Sequence, residues 1–119
     1  TWVMRERQPP SLHSVVHEKI DLSPEQDRRL DVVEARFAAQ RPALEAEVRA
    51  ANRELAAAIA ASDGDTPQVQ AAVDHFHAAM GDLQKATITH VFEMRSVLTP
   101  AQAEVFDAAV VEALHDDAG

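Results

Sequence analysis

Apolar residues recur every three or four positions along most of this 119-residue chain. This spacing is typical of the buried face of an α-helix, so the pattern predicts an all-α protein. Three series carry the prediction. They are Leu30, Phe37, Leu44, Val48, Leu55 and Ile59; Val69, Val73, Phe76, Met80, Leu83, Thr87, His90, Met94 and Val97; and Phe106, Ala109, Val110 and Ala113.

Start signals divide the pattern into four predicted helices. Ser23-Pro24-Glu25-Gln26 and Thr99-Pro100-Ala101-Gln102 each combine an N-cap hydroxyl, a proline at the first helical position and a glutamine three residues after the cap. Together these residues form a capping box. Asp65-Thr66-Pro67 supplies a cap and a proline without the box, and Ser11 can cap a short first helix. The predicted helices cover about residues 11–20, 24–62, 67–97 and 100–115.

The two long predicted helices must be antiparallel neighbours, because only the short link Asp63-Gly64-Asp65 joins them. Pro42 lies inside the second helix, where its missing amide hydrogen predicts a kink. The short helices can cover only the open end of the pair, so the alanine-rich tip stays thin. We therefore predict one domain over residues 1–119: a hooked hairpin of two long antiparallel helices capped by two short ones. Homodimerisation is a plausible way to cover the remaining apolar surface.

Charge and composition narrow the possible partners. The net charge of -9 argues against nucleic acid as a partner. The absence of cysteine excludes disulfides and thiolate zinc sites. No apolar run approaches the roughly 20 residues that span a bilayer. Residues 1–9 are expected to be a flexible juxtamembrane segment, with Trp2 at the outer edge of a membrane anchor upstream; a disordered end is the alternative.

Five residues are candidate metal ligands. His13 and His17 lie four residues apart, on the same side of the first helix, and His90 and Met94 have the same spacing within the apolar series of the third helix. Glu34 lies at the edge of the buried face of the second helix, where a lone carboxylate is costly. Glu34 and His90 are about equally far from the hairpin tip, and the first helix returns over that end, so the five can converge.

This donor set suits nickel, cobalt or zinc. Imidazole ligands favour these transition metals, whereas calcium and magnesium prefer oxygen. Three imidazoles, a thioether and a carboxylate that binds through both oxygens would fill six positions, as nickel and cobalt accept. Each residue also has an ordinary alternative. The histidine pair can be a chance surface pair, Met94 can be core filling, His90 a satisfied buried histidine, and Glu34 a partner of Arg95 or Lys19.

The remaining histidines are weaker candidates, and an enzyme is not expected. His75 and His77 are two residues apart and cannot share a helix face, and His115 lies near a fraying end. Glu112 and His115 match half of a di-iron motif that needs a second copy. The chain has no HExxH motif and no phosphate-binding glycine loop.

At these residues the chain resembles a known family. Leu12-His13-Ser14-Val15-Val16-His17-Glu18 and the segment from Ala86 to Arg95 are similar to the periplasmic cobalt/nickel sensors of the CnrX family. Leu22-Ser23-Pro24-Glu25-Gln26 and Leu98-Thr99-Pro100-Ala101-Gln102 also resemble the LTxxQ motif. That motif marks a wider group with the chaperones Spy and CpxP and the zinc-binding protein ZraP.

The resemblance implies a dimeric four-helix hooked hairpin whose ligands are His13, His17, Glu34, His90 and Met94. It also implies a membrane-anchored periplasmic sensor that controls an anti-sigma factor, and through it the genes for metal efflux. Two alternatives remain: a Spy-like periplasmic chaperone, for which the LTxxQ-like segments serve equally well, and an inert metal buffer without a signalling partner. Pro42 departs from the family pattern.

Overall fold

The structure, a computed structural model, describes the backbone of residues 12–118 and the side chains of residues 14–115. Regular structure in this range is entirely helical and forms four elements: α1 (Leu12–Lys19), α2 (Pro24–Ala60), α3 (Pro67–Arg95) and α4 (Pro100–Ala118). The predicted all-α class with four helices is therefore confirmed. The Ser11 cap and the juxtamembrane segment lie outside the described residues.

Local capping chemistry sets the helix starts where the sequence placed them. The Ser23 hydroxyl accepts a hydrogen bond from the Gln26 amide at 3.1 Å, and the Gln26 side-chain oxygen accepts one from the Ser23 amide at 2.9 Å. Thr99 and Gln102 make the same reciprocal pair at 3.3 and 2.9 Å. Both predicted capping boxes are thus formed, and each satisfies backbone amides that a helix start leaves without partners. For α3, the hydroxyl of Thr66 accepts from the Val69 amide at 3.3 Å.

The helix ends differ from the predicted ends by one to three residues, and α1 ends one residue early, at Lys19. Helix α2 ends at Ala60 and α3 at Arg95, each two residues early, while α4 continues three residues further than expected. After α3 the chain tightens, since the amides of Val97 and Leu98 each donate to a carbonyl three residues earlier, at 3.2 and 3.0 Å. Helix α2 continues without a break through Pro42. No helix within the described range is long and apolar enough to cross a membrane.

The chain forms two compact units. Within the described residues, the terminal unit comprises residues 12–31 and 94–118, and the central unit comprises residues 32–93. In the described part of the terminal unit, α1 packs against α4. Phe106, Leu30 and Val16 are fully shielded from solvent there. Further buried side chains in this unit are Val15, Ile20, Met94, Val97 and Ala103.

The central unit contains the pairing of α2 with α3. Glu34 on α2 contacts His90 on α3, and Glu47 and Glu54 contact His75, so residue numbers rise along one helix as they fall along the other. This order is the antiparallel arrangement that the short link predicts.

The most deeply buried apolar side chains of the central unit are alanines. Ala51, Ala72 and Ala79 are almost completely buried, whereas Met80 and Ile59 are 42% and 57% exposed. The expectation that Met80 and Ile59 form the buried face is therefore wrong. Alanine therefore supplies part of the buried face of the central unit, together with Val33, Phe37 and Val91.

Candidate metal centre

His90 lies at the centre of a compact arrangement between α2 and α3 in the central unit. Its side chain is only 9% exposed, and its Nε2 atom is 3.2 Å from the Glu34 Oε2 atom. The Phe37 ring stacks on the imidazole, with ring centroids 4.2 Å apart and planes within 9° of parallel. Glu34 and Phe37 are three residues apart on α2, so one helix face supplies both contacts.

The arrangement around His90 fits the first ligands of a divalent transition metal. With bonds of about 2.1 Å, two ligand atoms at right angles around a metal are about 3.0 Å apart. The 3.2 Å separation of the Glu34 and His90 atoms is close to that value. The other ring nitrogen, Nδ1, is buried and has no hydrogen-bond partner among the described residues. A buried polar atom without a hydrogen-bond partner lowers the free energy of unfolding. Such atoms are rare in folded proteins, and a role in binding is one explanation for them.

Met94, the predicted sulfur ligand, is on the same helix as His90. It lies one turn after His90 on α3, at the spacing that places two side chains on one helix face. Its side chain is 2% exposed. Water therefore has almost no access to the Met94 sulfur. Met94 can therefore act either as core filling or as a sulfur ligand, as the sequence suggests.

His17 lies in the terminal unit, beside a carboxylate. Its Nδ1 atom is 3.7 Å from the Asp27 Oδ1 atom, and its side chain is 37% exposed. That oxygen of Asp27 is buried and has no hydrogen-bond partner in the described part of the structure. The side chain of His13, the other predicted histidine ligand of α1, lies outside the described residues.

The structure thus brings together some members of the predicted ligand set and leaves the others untested. Glu34 and His90 contact each other within the central unit, whereas His17 and Met94 belong to the terminal unit. Within the described residues, no group of three or more His, Cys, Asp or Glu side chains could hold a metal ion. The convergence of all five ligands therefore stays a prediction.

Arg95 has a partner within the terminal unit. Arg95, a possible partner of Glu34 from the sequence, binds Asp107 on α4 through two contacts, at 2.8 and 3.0 Å. The hydrogen bond from Arg95 lowers the pKa of Asp107, and the Asp107 carboxylate in turn raises the pKa of Arg95. The Arg95 side chain therefore links the end of α3 to α4.

Sequence reasoning missed one cluster of titratable groups. His75 bridges two glutamates of α2: its Nδ1 is 2.9 Å from Glu54 Oε2, and its Nε2 is 2.8 Å from Glu47 Oε1. Hydrogen bonds to Glu54 and then Glu47 raise the pKa of His75 above 6.5. The helix register could have revealed the bridge, because pairing residue 34 with residue 90 places residue 75 opposite residue 49, between the two glutamates.

Comparison with known proteins identifies the functional class. A model of the heavy-metal resistance family matches residues 2–105, which is most of the chain. The chain belongs to the heavy-metal resistance family. The chain is similar to the nickel and cobalt resistance protein CnrR of Cupriavidus metallidurans, with 41% identity over 103 residues. That alignment covers 87% of this chain and 70% of the relative. The segment matched by the heavy-metal resistance family contains all five predicted ligands and both capping boxes.

Proposed function

We propose that this protein is a metal-sensing domain that binds Ni(II) or Co(II), and also Zn(II). Its ligands would be His13, His17, Glu34, His90 and Met94. The observation that carries the proposal is the contact between the buried His90 and the half-buried Glu34, whose atoms lie 3.2 Å apart. The other imidazole nitrogen of His90 has no hydrogen-bond partner among the described residues. Membership of the heavy-metal resistance family and similarity to a nickel and cobalt resistance protein support the same class of ligand.

The types of donor support the choice of metal. Imidazole nitrogens bind nickel, cobalt and zinc well, and the thioether of Met94 adds a soft donor. A glutamate that binds through both oxygens would bring the five side chains to six donor atoms. Nickel and cobalt gain from all six, whereas zinc is satisfied by four. When bound, the metal would tie ligands from three helices together, while Phe37 holds the His90 ring in place.

The signalling part of the proposal rests on the resemblance to the periplasmic sensors. The domain would act as a homodimer in the periplasm, anchored to the inner membrane upstream of the segment described here. Metal binding would change its interaction with a membrane-bound anti-sigma factor and so induce genes for metal efflux. Co-purification of the full-length protein with membrane partners, with and without nickel, tests this part. Recovery of the domain without any partner would favour a simple metal buffer.

Calorimetric titration with nickel, cobalt and zinc tests the binding itself. We expect one metal per chain and a large loss of affinity in His90→Ala. His77→Ala is the matched control, because His77 is an exposed histidine on the same helix. Metal that binds only the folded state stabilises it by RT ln(1 + [L]/Kd), so the melting temperature should rise in the control and hardly change in His90→Ala. Equal losses in the two variants would contradict the proposed site.

A periplasmic chaperone of the Spy type is the second candidate, and exposed apolar side chains favour it. In the central unit, Phe92 is 63% exposed and Val32 is 58% exposed, and such side chains can hold unfolded clients. An aggregation assay with an unfolded client, run with and without nickel, separates the two functions. Protection that does not depend on metal and survives His90→Ala would favour the chaperone.

A further inference from the structure

We propose that Asp27 is a positioning residue for the metal centre: its carboxylate accepts the Nδ1 proton of His17 and so fixes Nε2 as the nitrogen that binds metal. The inference rests on the proposed function for its consequence, but its first test is made without metal. Asp27 is not among the predicted ligands.

Two observations in the terminal unit point to this role. The Oδ1 atom of Asp27 is buried and has no hydrogen-bond partner among the described residues. The same atom is 3.7 Å from the Nδ1 atom of His17. An N–H to oxygen hydrogen bond has a length of about 2.7–3.2 Å, so a small rotation of either side chain closes the gap. The buried oxygen needs a donor, and the imidazole is placed to supply one.

Several hydrogen bonds fix the backbone of the helix turn that carries Asp27. Asp27 follows Gln26, the last residue of the capping box, and its own amide donates to the Ser23 carbonyl at 2.9 Å. Gln26 also donates to the carbonyl of Val97 at 3.1 Å, which ties this turn to the chain leading into α4. A carboxylate in the first turn of a helix is also favoured by the partial positive charge of the helix N-terminus. The backbone that carries Asp27 is therefore fixed by hydrogen bonds, while its side chain is 50% exposed and keeps one oxygen buried.

The position of the imidazole proton decides which nitrogen of His17 can bind a metal. A neutral imidazole carries one proton, so a proton held on Nδ1 leaves the lone pair on Nε2. Metal-binding histidines commonly donate their second ring nitrogen to a carboxylate, which orients the ring and strengthens the ligand. For His17, which lies on a helix of only eight residues, such a partner would reduce the freedom that metal binding has to remove.

Nuclear magnetic resonance of the metal-free protein tests the tautomer directly. At about pH 8, above the ordinary histidine range near 6.5, nitrogen-15 correlation spectra should show the His17 proton on Nδ1. In Asp27→Ala the proton should move substantially to Nε2, whereas Asp27→Asn, whose side-chain oxygen still accepts, should keep part of the Nδ1 form. A wild-type His17 with its proton on Nε2 would overturn the proposal.

Titration with cobalt measures the consequence. Loss of a partner of this kind typically weakens metal binding by about 10- to 100-fold, and we expect that loss in Asp27→Ala and a smaller one in Asp27→Asn. Asp31→Ala is the matched control, since it removes an exposed carboxylate one turn further along α2 and should change affinity less than about twofold. Circular dichroism checks that each variant keeps its helices.

The two readouts keep separate hypotheses apart. If wild-type protein binds no cobalt, the proposed function fails, and the tautomer measurement alone still supports or overturns the role of Asp27. If Asp27→Asn loses as much affinity as Asp27→Ala while the His17 tautomer stays unchanged, Asp27 is itself a ligand and the positioning role is wrong. Equal affinity in wild type and Asp27→Ala would overturn the role as well.

Discussion

Replacing Gln102 by alanine should destabilise the protein much more than the same change at an exposed glutamine such as Gln84. The Gln102 side-chain oxygen accepts from the Thr99 amide at 2.9 Å and from Gln26 Nε2 at 2.7 Å, while its own Nε2 donates to the Asp21 carbonyl at 2.8 Å. Gln102 Nε2 also donates to Gln26 Oε1 at 3.4 Å. Four hydrogen bonds of about 0.5–1.5 kcal/mol each are lost. Because two of them are exposed and can be replaced by water, we expect a total of about 2–3 kcal/mol.

Urea and thermal unfolding followed by circular dichroism measure this loss. A change of 1 kcal/mol moves the melting temperature of a chain this size by about 4 °C, so Gln102→Ala should melt about 8–12 °C lower. Gln84→Ala is the control, because Gln84 is exposed in the middle of α3. The double variant Gln26→Ala/Gln102→Ala should show a coupling of about 1 kcal/mol. Strict additivity, or a Gln102→Ala protein as stable as the control, would refute the reasoning.

Three further outcomes follow from the structure. Since Glu54 and then Glu47 raise the pKa of His75 above 6.5, the stabilisation from this bridge is complete below about pH 6.5 and is lost as pH rises through the raised pKa. Wild type should therefore melt higher than His75→Ala at about pH 6, and the difference should shrink as the pH is raised to about 9. A difference that does not change with pH would contradict the bridge. Metal binding should change in the opposite sense, weakening as pH falls toward about 6.5 because ligand histidines must be neutral; calorimetry across pH checks this, and flat affinity would count against a three-histidine site. Met94→Leu keeps the volume and removes the donor, so it should still bind zinc but lose the cobalt–thioether charge-transfer absorption, and an unchanged cobalt spectrum would show that the sulfur is not a ligand.

The features that the sequence could predict are those governed by neighbours in the chain. The starts of α2, α3 and α4 follow from a cap and a proline within four residues, and all three are where the sequence placed them. The contact of Glu34 with His90 was also accessible, because a short link fixes the register of an antiparallel pair. The joining of all five ligands depends on how separate segments meet, and it stays a prediction.

The features that sequence reasoning missed depend on contacts between residues that are far apart in the chain. The apolar series predicted for α2 and α3 contain no alanine, yet Ala51, Ala72 and Ala79 are the most completely buried side chains of the central unit. A small apolar side chain is a weak signal in a periodicity that large residues dominate, so their burial was not indicated. The second hydrogen bonds of Gln26 and Gln102 were missed for a related reason: a capping box predicts what a glutamine does to its own helix, and says nothing of a partner 76 residues away.

The glutamine pair also constrains the order in which the protein can fold. Its contacts join residues that are 71 to 81 positions apart in the chain, so they close one of the longest loops the molecule contains. Closing a long flexible loop costs entropy, whereas pairing α2 with α3 across a short link is a local event. Formation of the central hairpin shortens the chain that the pair must close. The terminal unit, assembled from both ends of the sequence, should therefore form last and open first.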